Sequence, residues 1–341
     1  MKALLGLLGC VVVGSASAAT FCVSNTGQFA AALLSAQAND QDDTIRVVAG
    51  TYILNAGLQF SSSEAHSISI IGSYDATCAS LTTSSSTLDG QHQYQGLYVS
   101  NDNGSILISR LSFQSGYATG LDGGAGLFAG SVSGNVTVSL NRFTGNTATY
   151  NAGVSANTLH GSLTFSSNLL ANNKASDFGA GFLFQDSGEA HVAGNTIVNN
   201  HNDPGQNTGG LVIGGGAHFT LANNILWGNT DEGGFDLYAG AAHNLLNNDL
   251  GVAGGTNPIP DFAQGNLSVD PGFVNCSFPF ICFNPYALGS DSALVNAGDD
   301  SPPGILVGFV DLAYLPRKSG AHIDIGAYEN QDVIFRDGFG S

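Results

Sequence analysis

One six-residue pattern recurs four times at almost constant spacing, and that alone confines the chain to a small set of architectures. Asn141-Arg-Phe-Thr-Gly-Asn146, Asn168-Leu-Leu-Ala-Asn-Asn173, Asn195-Thr-Ile-Val-Asn-Asn200 and Asn224-Ile-Leu-Trp-Gly-Asn229 all read Asn-x-apolar-x-x-Asn, with starts 27, 27 and 29 residues apart. A weaker copy, Leu111-Ser-Phe113-Gln-Ser-Gly116, begins 30 residues before the first. Each copy follows an alternating strand such as Val136-Thr-Val138-Ser-Leu140 or Leu163-Thr-Phe165. Each precedes a Gly-rich step into another apolar strand, as in Gly123-Gly124-Ala-Gly-Leu-Phe128, Ala152-Gly153-Val154, Gly179-Ala-Gly181-Phe-Leu-Phe184, Gly209-Gly210-Leu-Val-Ile213 and Gly233-Gly234-Phe235. A period under ~30 residues, made of short strands without helical spacing, specifies an all-β solenoid whose coils bury their apolar sides against one another. Asn and Gly suit the corners because both tolerate left-handed backbone. Stacked coils also place Asn above Asn, so the side-chain amides can bond in a ladder. At ~4.8 Å per coil, roughly seven coils give a rod about 35 Å long.

Both ends of such a rod expose unpaired edges that need covering. Near the N-terminus, Thr26 is placed to cap a helix running from Phe29 to Ala38, with Phe29, Leu33 and Ala36 on one face. Strands are expected at Thr44–Val48, Ser67–Ile71 and Leu97–Val99. Beyond residue 250 the period fades and Pro, Phe and Cys become frequent, which marks a closing region packed on the last coil. The chain thus divides into residues 1–19 as a leader, 20–86 as N-terminal cap and first coils, 87–250 as regular coils, 251–330 as an irregular C-terminal cap, and 331–341 as a tail.

The leader has one positive charge, Lys2, then an apolar run from Ala3 to Val13 and small residues up to Ala19, the pattern of a cleaved secretory signal. No later stretch is long and apolar enough to span a membrane as a helix. Losing residues 1–19 removes Lys2 and no acid, so the mature charge is 7 − 26 = −19, against −18 for the whole chain. Such an excess opposes nucleic acid and anionic membranes, which require basic patches. Five cysteines fall to four on cleavage, an even number in an exported chain. Three pairings are open; the favoured one joins Cys22 to Cys78, closing the N-terminal region, and Cys276 to Cys282, pinching a Phe-rich loop.

The opening Phe21-Cys22-Val, the segment Asp43-Thr-Ile-Arg-Val-Val-Ala-Gly-Thr-Tyr52 and the segment Ile71-Gly-Ser-Tyr74-Asp-Ala-Thr-Cys78 resemble the start of bacterial secreted right-handed parallel β-helix proteins. The end is more specific. Asp270-Pro-Gly-Phe273-Val, Gly289-Ser-Asp-Ser-Ala-Leu-Val-Asn-Ala-Gly298-Asp and Pro316-Arg317-Lys-Ser-Gly320-Ala-His-Ile-Asp324-Ile-Gly326-Ala-Tyr328-Glu329 resemble the closing signature of choice-of-anchor Q domain proteins. Asp311-Leu-Ala-Tyr-Leu-Pro316 departs from that family, which usually has a Gly-containing turn before Pro-Arg. The resemblance implies a right-handed parallel β-helix in a secreted or cell-surface setting, with the pectate-lyase-like superfamily as distant kin. It implies no activity, because activity rests on a site and not on a fold.

Lyases of this kinship group acids around calcium and set an Arg or Lys beside an acidic sugar. The mature chain offers Arg46, Arg110, Arg142, Lys174, Arg317, Lys318 and Arg336, with no grouped basic cradle. Asn229-Thr-Asp231 matches one short polygalacturonase motif, but that family's later Gly-His-Gly and Arg-Ile-Lys elements are missing. The best acidic candidates form a row before the Gly steps: Asp122, Asn151, Asp177, Asn207, and Asp231 with Glu232. If these positions stack, Asp177, Asp231 and Glu232 are candidates for catalytic carboxyls, and Asp122, Asp177 and Asp231 for oxygen ligands to Ca²⁺. The competing reading makes them Asx turns leading into glycine. His160, His191, His201, His218 and His243 fall at differing phases, so they do not form a ligand set. Tyr117, Tyr150, Trp227 and Tyr238 lie near corners, where rings can stack on sugars.

Two readings follow. One is a monomeric, non-catalytic secreted or surface protein whose lateral face binds polysaccharide or cell-surface glycan. The other is a polysaccharide lyase or glycoside hydrolase acting in a groove along the rod.

Overall fold

The computed structural model describes residues 18–203, 208–229, 234–274 and 284–331. They form a parallel β-helix of three long sheets. Sheet 1 has ten strands, from Ala19–Val23 to Phe262–Gln264; sheet 2 has eight, from Gly50–Ile53 to Asp249–Leu250; sheet 3 has eight, from Leu58–Ser62 to Ala253–Gly254. A short four-stranded corner sheet, from Tyr117–Ala118 to His201–Asn202, joins sheet 2 to sheet 3 in the middle coils. All the strand pairs in these sheets are parallel, so each residue sits above its equivalent in the next coil.

That register builds the core in columns. On the inner side of sheet 1, Ile70, Ile108, Val138, Phe165, Val192, Leu221 and Leu245 stack in order. Inside sheet 2, Phe113 and Phe143 lie ring over ring at 5.0 Å, both fully buried. Parallel stacking of identical positions is why the apolar residues must recur with the coil length.

The asparagines form two ladders at the ends of sheet 2. In the first, the amides of Asn141, Asn168, Asn195, Asn224, Asn248 and Asn266 bond in sequence. In the second, those of Asn146, Asn173, Asn200 and Asn229 do the same and end on the carboxylate of Asp236. Each interior amide also donates to a carbonyl of the preceding coil, and its oxygen accepts a backbone N–H, as Asn200 does with Leu170 O (3.0 Å) and Asn173 N (2.9 Å). The left-handed residue at these corners is the one just before each ladder asparagine, and it need not be Asn or Gly: Leu140 (φ 58°) and Ser167 (φ 54°) occupy it, and Arg110 (φ 60°) takes the equivalent place before Leu111, one coil earlier. Sharp corners are therefore held by the ladder against a local cost of about 1–2 kcal/mol per left-handed residue.

The helix spans Thr26–Ala36 and covers the N-terminal end with Phe29, Ala32, Leu33 and Ala36. Its cap is Asn25, whose side chain accepts from Gln28 N, and not Thr26, whose hydroxyl donates to Ile53 O. Cys22 and Cys78 form the expected disulfide beside it. Cys276 and Cys282 lie outside the described residues.

The closing region differs from expectation. Its first part does stack on the last coil, since Phe262–Gln264 extends sheet 1 and Asn266 extends the first ladder. Residues 284–331, however, run back along the outer flank of sheet 2. Leu288, Leu294, Leu312, Ile325, Ala327 and Tyr328 pack on Leu169, Ala171, Val198 and Ile225. Tyr314 reaches the early coils, with its hydroxyl 3.1 Å from Ser73 Oγ and its ring 4.2 Å from the Arg110 guanidinium carbon. Trp227 is half-buried against this region. Strands covered on both faces read as continuous apolar runs, which explains Leu169-Leu-Ala171 and Ile225-Leu-Trp227.

The family-like closing signature supplies the clasp. Arg317, buried, pairs with Glu329 at 3.2 Å and donates to the carbonyls of Asp324 and Gly326. Glu329 accepts from Ser319 N and Asp324 N, Asp324 from Asn296 N and Asn330 N, and Asp311 from Leu315 N and Glu329 N. Burial raises the pKa of all three carboxyls, that of Glu329 to about 7.

Candidate functional site

Sheet 3 is the long face that residues 284–331 leave uncovered. Its inward positions are mostly Leu, Val, Ile and Ala, with Phe60 and Gly181, so the alternate residues point outward. One outward row runs Gln59, Tyr98, Phe128, Ser155, Phe182, Val212, Tyr238, Gly254. The next runs Ser61, Ser100, Gly130, Asn157, Phe184, Gly214. Aromatic rings and small polar groups thus share one face, on which Phe128, Ser155 and Val212 are themselves buried and Tyr98, Phe182, Phe184, Asn157 and Ser100 are half-buried.

The rings touch. Tyr98 and Phe128 stack at 4.6 Å with planes 9° apart. From the corner, Tyr150, Phe178, Phe182 and Phe184 form a continuous chain with centroids 6.1, 6.4 and 6.2 Å apart. Phe235 and Tyr238 add a pair at 6.1 Å. Phe178 takes a left-handed backbone (φ 55°) and is 44% exposed, an unusual position for a bulky apolar side chain. Glycines keep the shelf low: a side chain at Gly130 would strike Phe128 and Asn157, and one at Gly254 the ring of Phe235.

Electrostatically the face lacks positive charge. The strands of sheet 3 contain no Arg or Lys. Burial, with the charge of Asp122 added, raises the pKa of the Tyr98 hydroxyl. The described cations are engaged elsewhere. Arg46 lies over Tyr74, Arg110 and Arg142 face Tyr314, Lys174 meets Asp203 at 3.3 Å, Arg317 is in the clasp, and Lys318 pairs with Asp300.

The acidic row does not assemble. Asp177 stands opposite Tyr150, one residue out of phase with Asn151, and its carboxylate accepts from the neighbouring Phe178 N. Asn151 is buried and left-handed (φ 50°), and Asp122 is exposed on a turn. Asn207, Asp231 and Glu232 lie outside the described residues. Among the described residues, no group of three or more His, Cys, Asp or Glu side chains is placed to hold a metal ion. The histidines are dispersed: His191 and His218 on the outside of sheet 1, His243 buried with Nδ1 near Ala241 O, His160 and His201 exposed. Of the four aromatic candidates, Tyr150 and Tyr238 join the ring array, Tyr117 is 42% exposed on the corner sheet, and Trp227 faces the C-terminal flank. Tyr98, Phe128, Phe178, Phe182 and Phe184 went unremarked as site residues. The alternation Phe182-Leu183-Phe184, with Leu183 inward, is the signal that would have exposed them.

A three-sheet parallel coil with amide ladders and a long open face defines a β-helix protein. The chain belongs to the right handed beta helix region family, whose model matches residues 49–226. Among solved structures, a pectate lyase, Pel9A, is similar at 14% identity and a TM-score of 0.38, covering 93% of this chain and 97% of that one. A comparison with curated proteins finds no match. No helix among the described residues is long and apolar enough to cross a membrane.

Proposed function

We propose that this is an exported, non-catalytic β-helix protein that binds neutral polysaccharide on the outer face of sheet 3. The observation that carries the reading is the ring chain Tyr150–Phe178–Phe182–Phe184, flanked by the half-buried Asn157 and Ser100. Sugars present an apolar C–H face and a rim of hydroxyls, and this surface offers rings for the first and small polar groups for the second. The absence of Arg and Lys from its strands disfavours an anionic polymer, and the dispersed acids disfavour a hydrolase. Export through a cleaved signal is supported by the Cys22–Cys78 disulfide, which belongs to an oxidising compartment. Membership of the choice-of-anchor Q group is supported by the structural use of Arg317, Asp324 and Glu329, three residues of its closing signature.

Affinity electrophoresis through gels containing soluble glucans, mannans, xylan or polygalacturonate tests the reading. Retardation is expected in a neutral gel and should fall about two- to tenfold in affinity for Phe182→Ser, the worth of one ring contact at ~0.5–1.5 kcal/mol. Release of unsaturated or reducing ends, or retardation by polygalacturonate alone, overturns it in favour of an enzyme.

A further inference from the structure

Residues 302–309, Pro-Pro-Gly-Ile-Leu-Val-Gly-Phe, cross the outside of sheet 1 as a strap without a charged residue. It is fixed at its ends. Asn223 bonds both N and O of Asp299 (2.8 and 3.0 Å) before it, and Phe309 O accepts from Arg317 N (3.0 Å) behind it. Between those points the turn from Ile305 N to Pro302 O is internal to the strap. Leu306 and Phe309 are each 97% exposed, so the strap keeps its two largest apolar side chains off the body. Beneath it lies a small cavity of about 20 Å³ bordered by Ser166, Gly194, Leu306 and Val307.

The residue it does cover is His191. A Cβ on Gly304 would stand 3.0 Å from His191 Cε1, so the strap backbone lies against the imidazole, and only glycine (φ 74°) permits the approach. Nδ1 of His191 is buried and has no hydrogen-bond partner among the described residues. Its neighbours along the sheet are Thr164 and Thr220, both neutral. The charged group that faces it is Glu189, on its own strand, and that carboxylate is already within 3.5 Å of His218 Nδ1, whose Nε2 is 3.2 Å from Asp261. His66, His218 and His322 each have a carboxylate in reach, at 3.0, 3.2 and 3.3 Å, whereas His191 has a glycine backbone over it.

We propose that residues 302–309 are an acid-released strap, closed over His191 while the imidazole is neutral and lifted when it takes up a proton. A proton on Nδ1 creates a buried cationic donor with nothing to accept it, and the loosely packed strap is the element that can move to admit water. Burial already pulls the His191 pKa below the ordinary value, with Glu189 opposing, so lifting belongs to mildly acidic pH.

The full chain, methyl-labelled at Ile, Leu and Val, is titrated by NMR from pH 8 to 4.5 while the His191 Cε1–H shift is followed. The Ile305, Leu306 and Val307 methyls are expected to shift along the His191 curve with the same midpoint. In His191→Thr, which copies the flanking Thr164 and Thr220 and so preserves the sheet, those shifts should vanish. Strap methyls that stay still while His191 titrates overturn the proposal, as does a pH response that survives in His191→Thr.

Discussion

Replacing Asn200 by Ala isolates the worth of one ladder rung. Asn200 is fully buried and its amide makes four hydrogen bonds: to Leu170 O (3.0 Å), to Asn229 Oδ1 (2.8 Å), and from N and Nδ2 of Asn173 (both 2.9 Å). Truncation leaves Asn173 N facing an apolar methyl and deprives three other groups of one bond each. An orphaned buried N–H costs about 1–3 kcal/mol and each of the three lost bonds about 1, so the rung is worth about 4–6 kcal/mol. Asn200→Asp keeps the acceptor but turns an oxygen toward Leu170 O and Asn229 Oδ1. Its penalty should grow as pH rises and the new carboxyl is forced to ionise. Trp227, the sole tryptophan, pairs with Val198 two residues before Asn200 and reports on these coils in urea unfolding followed by fluorescence. Asn55→Ala, on an exposed turn, is the control and should stay within about 0.5 kcal/mol. If Asn200→Ala costs less than about 1 kcal/mol, the ladder is ornament and the corners are held by packing alone.

Other outcomes follow from the buried charges and the disulfide. Asp249 is fully buried, with Oδ2 unpartnered, and burial pushes its pKa up to about 6; a carboxyl raised on folding stabilises below its unfolded pKa and loses that contribution as pH rises through the folded one. Asp249→Asn should therefore flatten the decline in stability between about pH 4 and 7, worth at most about 2–3 kcal/mol, in thermal melts across that range. Arg317→Met strands Glu329, Asp324 and Asp311 and should cost about 3–5 kcal/mol, seen as faster proteolysis of residues 284–331, with no rescue by Arg317→Lys because the fork to Asp324 O and Gly326 O is lost. Cys22→Ser opens a loop with a sequence separation of 56 and should lower stability by about 4 kcal/mol in melts compared with and without reductant.

The coil was legible because stacking forces each position to repeat, and Asn, Gly and Phe announce their roles at corners and in the core. Its last turns were not, because the rungs Asn248 and Asn266 follow at 24 and 18 residues as the corner segments shorten, and a fixed period cannot follow them. The acidic row failed for a related reason. Counting back from the glycines aligns Asn151 with Asp177, but the chain is clamped at the ladder. Counting on from Asn146 and Asn173, four residues reach Tyr150 and Asp177, the pair the register shows. The path of residues 284–331 was hidden because nothing local distinguishes a cap on the end from a cover on the flank, except the doubly apolar strands it lies on. The aromatic face was hidden in plain sight, since Phe in a strand reads as core until its neighbour's direction is known.

The two ladders also differ in how they can end. An amide receives a bond and hands one on, so a column of amides can accept another coil at either end without changing its chemistry. Asp236 receives from Asn229 N and Nδ2 on one oxygen and from Val252 N on the other, and has no proton to pass to a further rung. A single exchange of nitrogen for oxygen thus acts as a stop signal for growth at that corner. Lengthening the second ladder by duplicating a coil is open anywhere before Asp236 and closed after it, while the first ladder runs on through Asn248 and Asn266, so the carboxylate sets where one corner's ladder stops much as the spacing of the asparagines sets the rod's girth.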